Sequence, residues 1–406
     1  MNIIIFEDKY NDLLYPFCIN HASFEIKVGL FSNLERIKII FKDSPIYLIV
    51  RKEIGDLIKE KYSDVTVNPR NVPQGLCLNG SVVWEKKHLK TINSNDAGFN
   101  GNKLFFLNTK TKYSIEDFFK VISNFDSSNS IDIEAFKYIQ YLWDLFKYNS
   151  QFLLSDLNIY KFNAISSFPT VTKLFDTIHK KHNSVFLVNE KNIIINEDSE
   201  LKTGVIIDAT GGPVIIGKNV IVDIGALIQG PVFIDDNSYI SSGAKIKAGT
   251  FIGKNCKIGG EVSCSIINDY SNKVHDGFLG HSFIGEWVNI GAGTNNSNLK
   301  NNYNKIKFNF GEKVIDTNET FLGSFIGDYT RIGISTMLNT GTYIGLGANI
   351  FGGGFQKQHI TSFSWGTNDN VEIEKFIVTC KKMKARRKKE LTKSEIKFLK
   401  NLFCLI

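Results

Sequence analysis

The stretch Ile216–Ile258, IGKNVIVDIGALIQGPVFIDDNSYISSGAKIKAGTFIGKNCKI, decides the fold. Every sixth residue in it is a β-branched aliphatic: Ile216, Val222, Ile228, Ile234, Ile240, Ile246, Ile252 and Ile258. Four residues after each stands a small or compact side chain: Val220, Ala226, Val232, Ser238, Ala244, Thr250, Cys256 and Val262. The same register resumes at Ile326, Ile332, Leu338, Ile344 and Ile350. A period of six matches neither 3.6 nor 3.5, so it excludes an α-helix or coiled coil. It predicts triangular coils of three short strands, each with one large aliphatic pointing inward. The expectation is a left-handed parallel β-helix over residues 191–356, with Gly217, Gly243, Gly253, Gly285 and Gly333 at corners that need positive φ.

Working outward, residues 1–190 read as an α/β domain of Rossmann-like kind. Apolar runs at Asn2–Phe6, Ile46–Val50, Leu76–Trp84 and Leu104–Leu107 have strand character, and Ser32–Phe41, Ser114–Phe125 and Ile131–Phe146 have helical patterning. Parallel strands with crossover helices are the economical arrangement. Residues 150–203 read as a joining segment, interrupted by Asp156, Asn158, Pro169 and Asn183. Residues 357–406 form a basic helical tail, with helical composition over Val371–Phe403.

The 406 residues contain 43% hydrophobic and 22% charged side chains, a globular balance that excludes wholesale disorder. No run approaches the ~20 apolar residues of a membrane span, and the start, MNIIIFED, carries no basic leader, so the expectation is a cytoplasmic protein without membrane partners. The net charge of +7 is concentrated between Lys375 and Lys400, where eleven Lys or Arg face two Glu. A basic tail on a near-neutral body points to a local anion site rather than to nucleic acid, and the plainer alternative is a solvated helix face. The six cysteines form no Cys-x-x-Cys pair and indicate neither a zinc ribbon nor a disulfide framework.

Between the two repeat blocks lies Lys273–Thr294, KVHDGFLGHSFIGEWVNIGAGT, followed by the polar stretch NNSNLKNNYNKIKFN. Here the sequence resembles the bifunctional sugar-1-phosphate nucleotidyltransferase/acetyltransferase family, which makes UDP-N-acetylglucosamine. It is similar also to a related group of sugar nucleotidyltransferase/acyltransferase proteins through Phe278–Tyr303 (FLGHSFIGEWVNIGAGTNNSNLKNNY), Ala348–Phe355 (ANIFGGGF) and Ser362–Gly366 (SFSWG). The resemblance implies a coenzyme A dependent acyltransferase on the β-helix, with acetyl-coenzyme A as donor, and a homotrimer whose sites lie between neighbouring helices. It places the catalytic base on His275, acceptor contacts on Asn289 and Asn298, and coenzyme contacts on Ser335 and Gly352, with the basic tail at Arg386 and Arg387 on the coenzyme's phosphates; Lys305, or else Lys273, Lys300 or Lys307, is the candidate to supply charge to the acceptor. An imidazole suits the role: with a pKa near ~6.5 it takes a proton from the attacking amine or hydroxyl and returns it to the leaving thiolate.

The departures are specific. Where members that acetylate glucosamine-1-phosphate carry a tyrosine and a lysine, this chain has Phe278 and Ser263. The resemblance also implies sugar-1-phosphate nucleotidyl transfer from a nucleoside triphosphate with Mg2+ in the amino-terminal domain. The glycine-rich phosphate loop of that family is absent, since the first strand ends Phe6-Glu7-Asp8 and the one glycine before Gly55 is Gly29. Lys27 and Asn79 are the tentative nucleotide contacts. Two other readings stay open: a non-catalytic trimeric sugar-nucleotide binding scaffold, and a zinc-dependent, carbonic-anhydrase-like β-helix using His275, His281 and a distant histidine such as His359.

Overall fold

The repeat region coils as its spacing predicts, because each hexad places one aliphatic where only the interior can take it. In the computed structural model, which describes residues 1–124, 131–133, 136–164, 184–196, 198–310, 313–366 and 368–406, the repeats form three sheets, parallel throughout except for the last strand of one, Asp369–Asn370, which runs antiparallel to Ser364–Trp365. Among these residues the sheets have six strands from Phe186–Val188 to Phe278–Gly280, nine from Ile193–Ile195 to His359–Ile360, and ten from Glu200–Leu201 to Asp369–Asn370. The register stacks like on like, for example Val222 on Ile240 on Ile258. The hexad aliphatics and the compact residues four positions later are all buried and form one continuous core.

The corners differ from expectation. Of the five glycines, only Gly243 has positive φ. At Gly217, Gly253 and Gly285 a Cβ would lie within about 2.5 Å of the Asp236, Asp269 and Asp328 carboxylates of the next coil, so glycine is needed there for close approach. The left-handed corner column is filled instead by Asn219, Asn237 and Asn255, then by Tyr270, Trp287, Tyr329 and Phe363. Asparagine tolerates this conformation by bonding locally. The aromatics occupy it because they receive a helix: Phe376, on the helix Ile373–Ala385, packs edge-on against Phe363 and Tyr329. On the same helix, buried Lys384 lies over Trp287 and Tyr329.

The chain divides into two compact units, Met1–Leu145 with Glu390–Leu405, and Phe146–Lys389 with Ile406. The first unit contains a seven-stranded mixed sheet, in the order Ile131–Asp132, Ala97–Asn100, Lys103–Thr109, Gly75–Asn79, Ile3–Phe6, Ile46–Ile49, Thr66–Val67. The sheet is not wholly parallel: Lys103–Thr109 runs antiparallel to both neighbours. The helix Asn33–Ile40 is set by a capping box of Ser32 and Glu35, and Ile115–Ser123 by Ser114 as N-cap.

Two patterned segments fold otherwise. Of the expected helix Ile131–Phe146, residues 134 and 135 lie outside the described residues; the rest is an edge strand, Ile131–Asp132, and from Phe136 irregular chain in which Ile139 N donates to Ser81 O and Lys137 O accepts from Val83 N, a helix beginning only at Asp144. The expected strand to Trp84 stops at Asn79, whose Oδ1 accepts from the Ser81 N–H and turns the chain. The carboxy-terminal basic segment is two helices, Ile373–Ala385 and Lys393–Phe403, the second capped by Thr392. Within the joining segment, Pro169 and Asn183 lie outside the described residues. Among the described residues no helix is long and apolar enough to cross a membrane.

Candidate functional site

His275 sits in the turn between strands Asn272–Lys273 and Phe278–Gly280 and is exposed. Among the described residues no partner holds its imidazole, whereas the carbonyls on either side are held: Val274 O accepts from Ser241 Oγ at 3.0 Å and Asp276 O from Gly293 N at 2.9 Å. The next strand is fixed by side chains where the sheet ends. Asn295 Oδ1 accepts from Phe278 N at 2.7 Å, and Asn296 Oδ1 accepts from Gly280 N at 2.8 Å while its Nδ2 donates to Gly280 O at 3.0 Å. Asparagine suits this position because its amide reproduces a peptide's donor and acceptor. Asn295 and Asn296 were not singled out from the sequence; the signal was their place directly after the G-A-G-T corner.

His281, six residues beyond His275, is half-buried. Its Nδ1 lies 2.9 Å from Asn298 Nδ2, and its ring stacks on Phe321 at 5.2 Å. Burial pushes the imidazole pKa below its usual range, against a smaller opposing pull from Glu319. Asn298 is therefore brought to His281. Beyond it, Ser297, Leu299, Lys300, Asn339, Thr340 and Phe355 line a cavity of about 390 Å³. Lys305 is exposed and donates to Thr320 Oγ1 at 3.2 Å, while Ser335, in left-handed conformation, ties its N–H to Ala292 O at 2.7 Å. Gly352 has φ +116 and no neighbour near a hypothetical Cβ. No cluster of three metal-capable side chains among the described residues includes His275, His281 or His359.

On the adjoining sheet the outward column runs Asn272, Asn289, Arg331, Asn349, Trp365. Arg387 Nη2 donates to Asn272 Oδ1 at 3.0 Å, so one predicted basic residue reaches the column that holds exposed Asn289; Arg386 is exposed.

In the first unit, a cavity of about 200 Å³ opens at the carboxyl end of the central strand Ile3–Phe6, lined by Asp8, Tyr10, Arg51 and Lys103 among others. Asp8 Oδ2 accepts from Asn79 Nδ2 and from the Tyr138 hydroxyl, both at 2.8 Å. Lys103 Nζ lies 4.7 Å over the Tyr138 ring, and burial pushes its pKa down against the attraction of Asp8 and Asp144.

Residues 3–163 match the family model described as sugar nucleotidyl transferase. A bifunctional sugar-1-phosphate nucleotidylyltransferase/acetyltransferase of Sulfurisphaera tokodaii is 39% identical over 99 residues, and the chain spans only 25% of that relative's length and 24% of its own. Among solved structures, a mutant of AntD, an N-acyltransferase from Bacillus cereus, in complex with dTDP and coenzyme A, is 15% identical and covers 48% of this chain and 83% of that one. Its TM-score is 0.18, too low for a shared fold to be read from it.

Within the matched residues, Lys27 is half-buried on the short strand Lys27–Val28, paired in register with Ser32. Asn79 is fully buried, and its amide is consumed internally: Nδ2 donates to Asp8 and to Leu104 O, and Oδ1 accepts from Ser81 N. Two carboxylates, Glu7 and Asp8, line the cavity. Glu7 is held by Arg51 Nη1 at 2.6 Å and by the Ser23 and Arg51 N–H groups. Arg51 also donates to the carbonyls of Cys18 and His21, so this pair braces the strand end.

Proposed function

We propose that the chain is an enzyme of sugar-nucleotide biosynthesis with two transferase sites: coenzyme A dependent acyl transfer to an amino sugar or its phosphate on the β-helix, and sugar-1-phosphate nucleotidyl transfer in the amino-terminal domain. The observation that carries the first is His275: an exposed imidazole with no partner among the described residues, on a turn whose neighbouring carbonyls are engaged. His275 takes the proton as the acceptor nitrogen attacks the thioester carbonyl, the C–S bond breaks, and the proton passes to the departing thiolate. The products are an amide and free coenzyme A thiol. Asn289 and Asn298 contact the acceptor, Lys305 its phosphate, and Ser335, Gly352, Arg386 and Arg387 the coenzyme. Exposed Ile334, Met337, Phe351 and Phe355 suit burial in a homotrimer.

Support for pairing the two activities comes from the bifunctional relative. In the amino-terminal cavity Asp8 offers a magnesium–nucleotide complex a carboxylate, a harder and better magnesium ligand than the buried Asn79 amide. That engaged amide, with the missing glycine-rich loop, favours a second reading for this half: a domain that holds a sugar nucleotide without transferring it.

The test is incubation of the protein with acetyl-coenzyme A and a panel of amino sugars and amino-sugar phosphates, with and without UTP, following thiol and pyrophosphate separately. Thiol release that vanishes in His275→Ala supports the acyltransferase, and pyrophosphate release supports the nucleotidyltransferase. Thiol release without pyrophosphate selects the second reading. Silence in both channels rejects both activities for the panel and favours the scaffold.

A further inference from the structure

One inward position of the β-helix is occupied by a cation. The column that contains Val222, Ile240 and Ile258 below, and Ile290, Ile332 and Ile350 above, is interrupted by Lys273, which is 3% exposed. An ammonium there is costly, since a buried charge without a bonded counter-ion loses its hydration. Burial pushes its pKa down to about 8, with Asp276 the one opposing influence resolved. Hydrophobic packing alone would be served by another isoleucine.

The ammonium has definite partners. Lys273 Nζ donates to His275 O at 2.9 Å and to Gly259 O at 3.2 Å. The coil below is shaped for it: at Gly260, with φ +67, a Cβ would lie 2.8 Å from Lys273 Nζ and 3.0 Å from His275 O, so any side chain there collides with the arrangement. Together with Ser241 Oγ on Val274 O, Gly293 N on Asp276 O and Glu261 N on Gly277 O, this engages four successive carbonyls of the turn. The carbonyl of His275 itself is the one held by the lysine.

We propose that Lys273 is a positioning residue, an ammonium placed inside the coil to fix the main chain of His275 so that its imidazole projects from an immobile turn. The inference rests on His275 being the base of the acyl transfer, and it goes beyond that reading by naming the group that orients the base. Orientation is a term to which rates are steeply sensitive, because small displacements of a proton acceptor forfeit much of the advantage of proximity.

The experiment compares wild type with Lys273→Met, which keeps an unbranched side chain in the apolar column, and with Ile258→Met, one coil below, as the packing control. Amide hydrogen exchange of Glu261 and Gly293, whose N–H groups donate to the turn carbonyls Gly277 O and Asp276 O, the melting temperature, and kcat and KM for acyl transfer are measured on each. Lys273→Met is expected to melt no lower than wild type, to speed exchange of these two amides by about ten-fold or more, and to lower kcat by about ten-fold with the donor KM nearly unchanged. Ile258→Met changes neither exchange nor kcat. Lys273→Gln, which retains a donor of shorter reach, restores part of the loss.

Unchanged exchange overturns the proposal, as does faster exchange with wild-type kcat. A Lys273→Met protein that fails to fold also overturns it, because the lysine then holds the coil rather than the turn. If His275→Ala keeps full activity, the reading of the base fails, while the exchange result still judges what Lys273 holds.

Discussion

The two candidate sites stand at strand ends and are both fixed by polar side chains, but they are assembled over different lengths of chain. Around His275 the bonds come from one or two coils away: Lys273 to Gly259 spans 14 residues, Asn296 to Gly280 spans 16, Asn298 to His281 spans 17, and Ser241 to Val274 spans 33. Around Asp8 they come from across the domain, 71 residues away at Asn79 and 130 at Tyr138, while Arg51 reaches Glu7 over 44. A β-helix repeats the same local closure, so damage to one turn leaves its neighbours paired. A strand end braced from several distant elements shares its failure with the whole sheet.

The sharpest way to break this contrast is His275→Ala. The side chain is exposed and has no partner among the described residues, so removing it is expected to leave the melting temperature within a degree or two while lowering acyl transfer by about 10²–10⁴-fold. A large drop in melting temperature would mean that the turn depends on the imidazole, contrary to the locality argued here. Arg51→Ala is the counterpart in the other unit. It leaves the Glu7 carboxylate, only 2% exposed, without its cation, and frees the carbonyls of Cys18 and His21. Loss of one partner of such a pair costs about 3–5 kcal/mol. Thermal unfolding should fall by roughly 10 °C or more, and a change under about 3 °C would show that the strand end is not braced through this pair.

The same difference in reach explains what was legible. The hexads expose the coil and its core, because partners one coil apart share a phase that counting recovers, whereas the turn of His275 lies where that phase breaks and was marked by the resemblance of its motif. Counting by six from Ile258 passes over Lys273; both its place in an inward column and the carbonyls it serves emerge only from the fold. Gly217, Gly253 and Gly285 were legible as corner residues but not in their reason, since the facing aspartates belong to the next coil. In the amino-terminal unit the spacing could not connect Asp8 with Asn79 or Tyr138, so Asn79 stood out for its position after a strand while its amide is fully engaged. The helical pattern of Ile131–Phe146 misled for the same reason: its backbone is claimed by the edge of the sheet and by Ser81 and Val83, far away in sequence.

A middle case is Asn296→Ala. It strips the Gly280 N–H and carbonyl of their partners in a buried setting, an expected cost of about 1–3 kcal/mol. The disturbance should show in hydrogen exchange confined to residues 278–282 and 294–298. Exchange rising along the whole β-helix would contradict local closure.

The smallest effect separates two lysines of the basic carboxy-terminal segment. Lys384 is 7% exposed, with its ammonium 5.5 Å from the Trp287 ring centre and 6.0 Å from that of Tyr329, a desolvated cation–π contact worth about 2 kcal/mol. Lys397 meets Asp56 at 3.0 Å, but the two side chains are 68% and 59% exposed, and such pairs contribute about 0.2–1 kcal/mol. Lys397 holds the Asp56 carboxyl below its ordinary range, so this small contribution is present above the unfolded carboxyl pKa and lost as pH falls through the lower folded value. Lys384→Ala should therefore lower the melting temperature measurably and independently of salt, whereas Lys397→Ala should lower it by about 2 °C at most, and by less as ionic strength rises. Equal losses would mean that the aromatic corner does not anchor the first helix, and that the charge count of the segment, rather than the burial of one lysine in it, determines how firmly it is held.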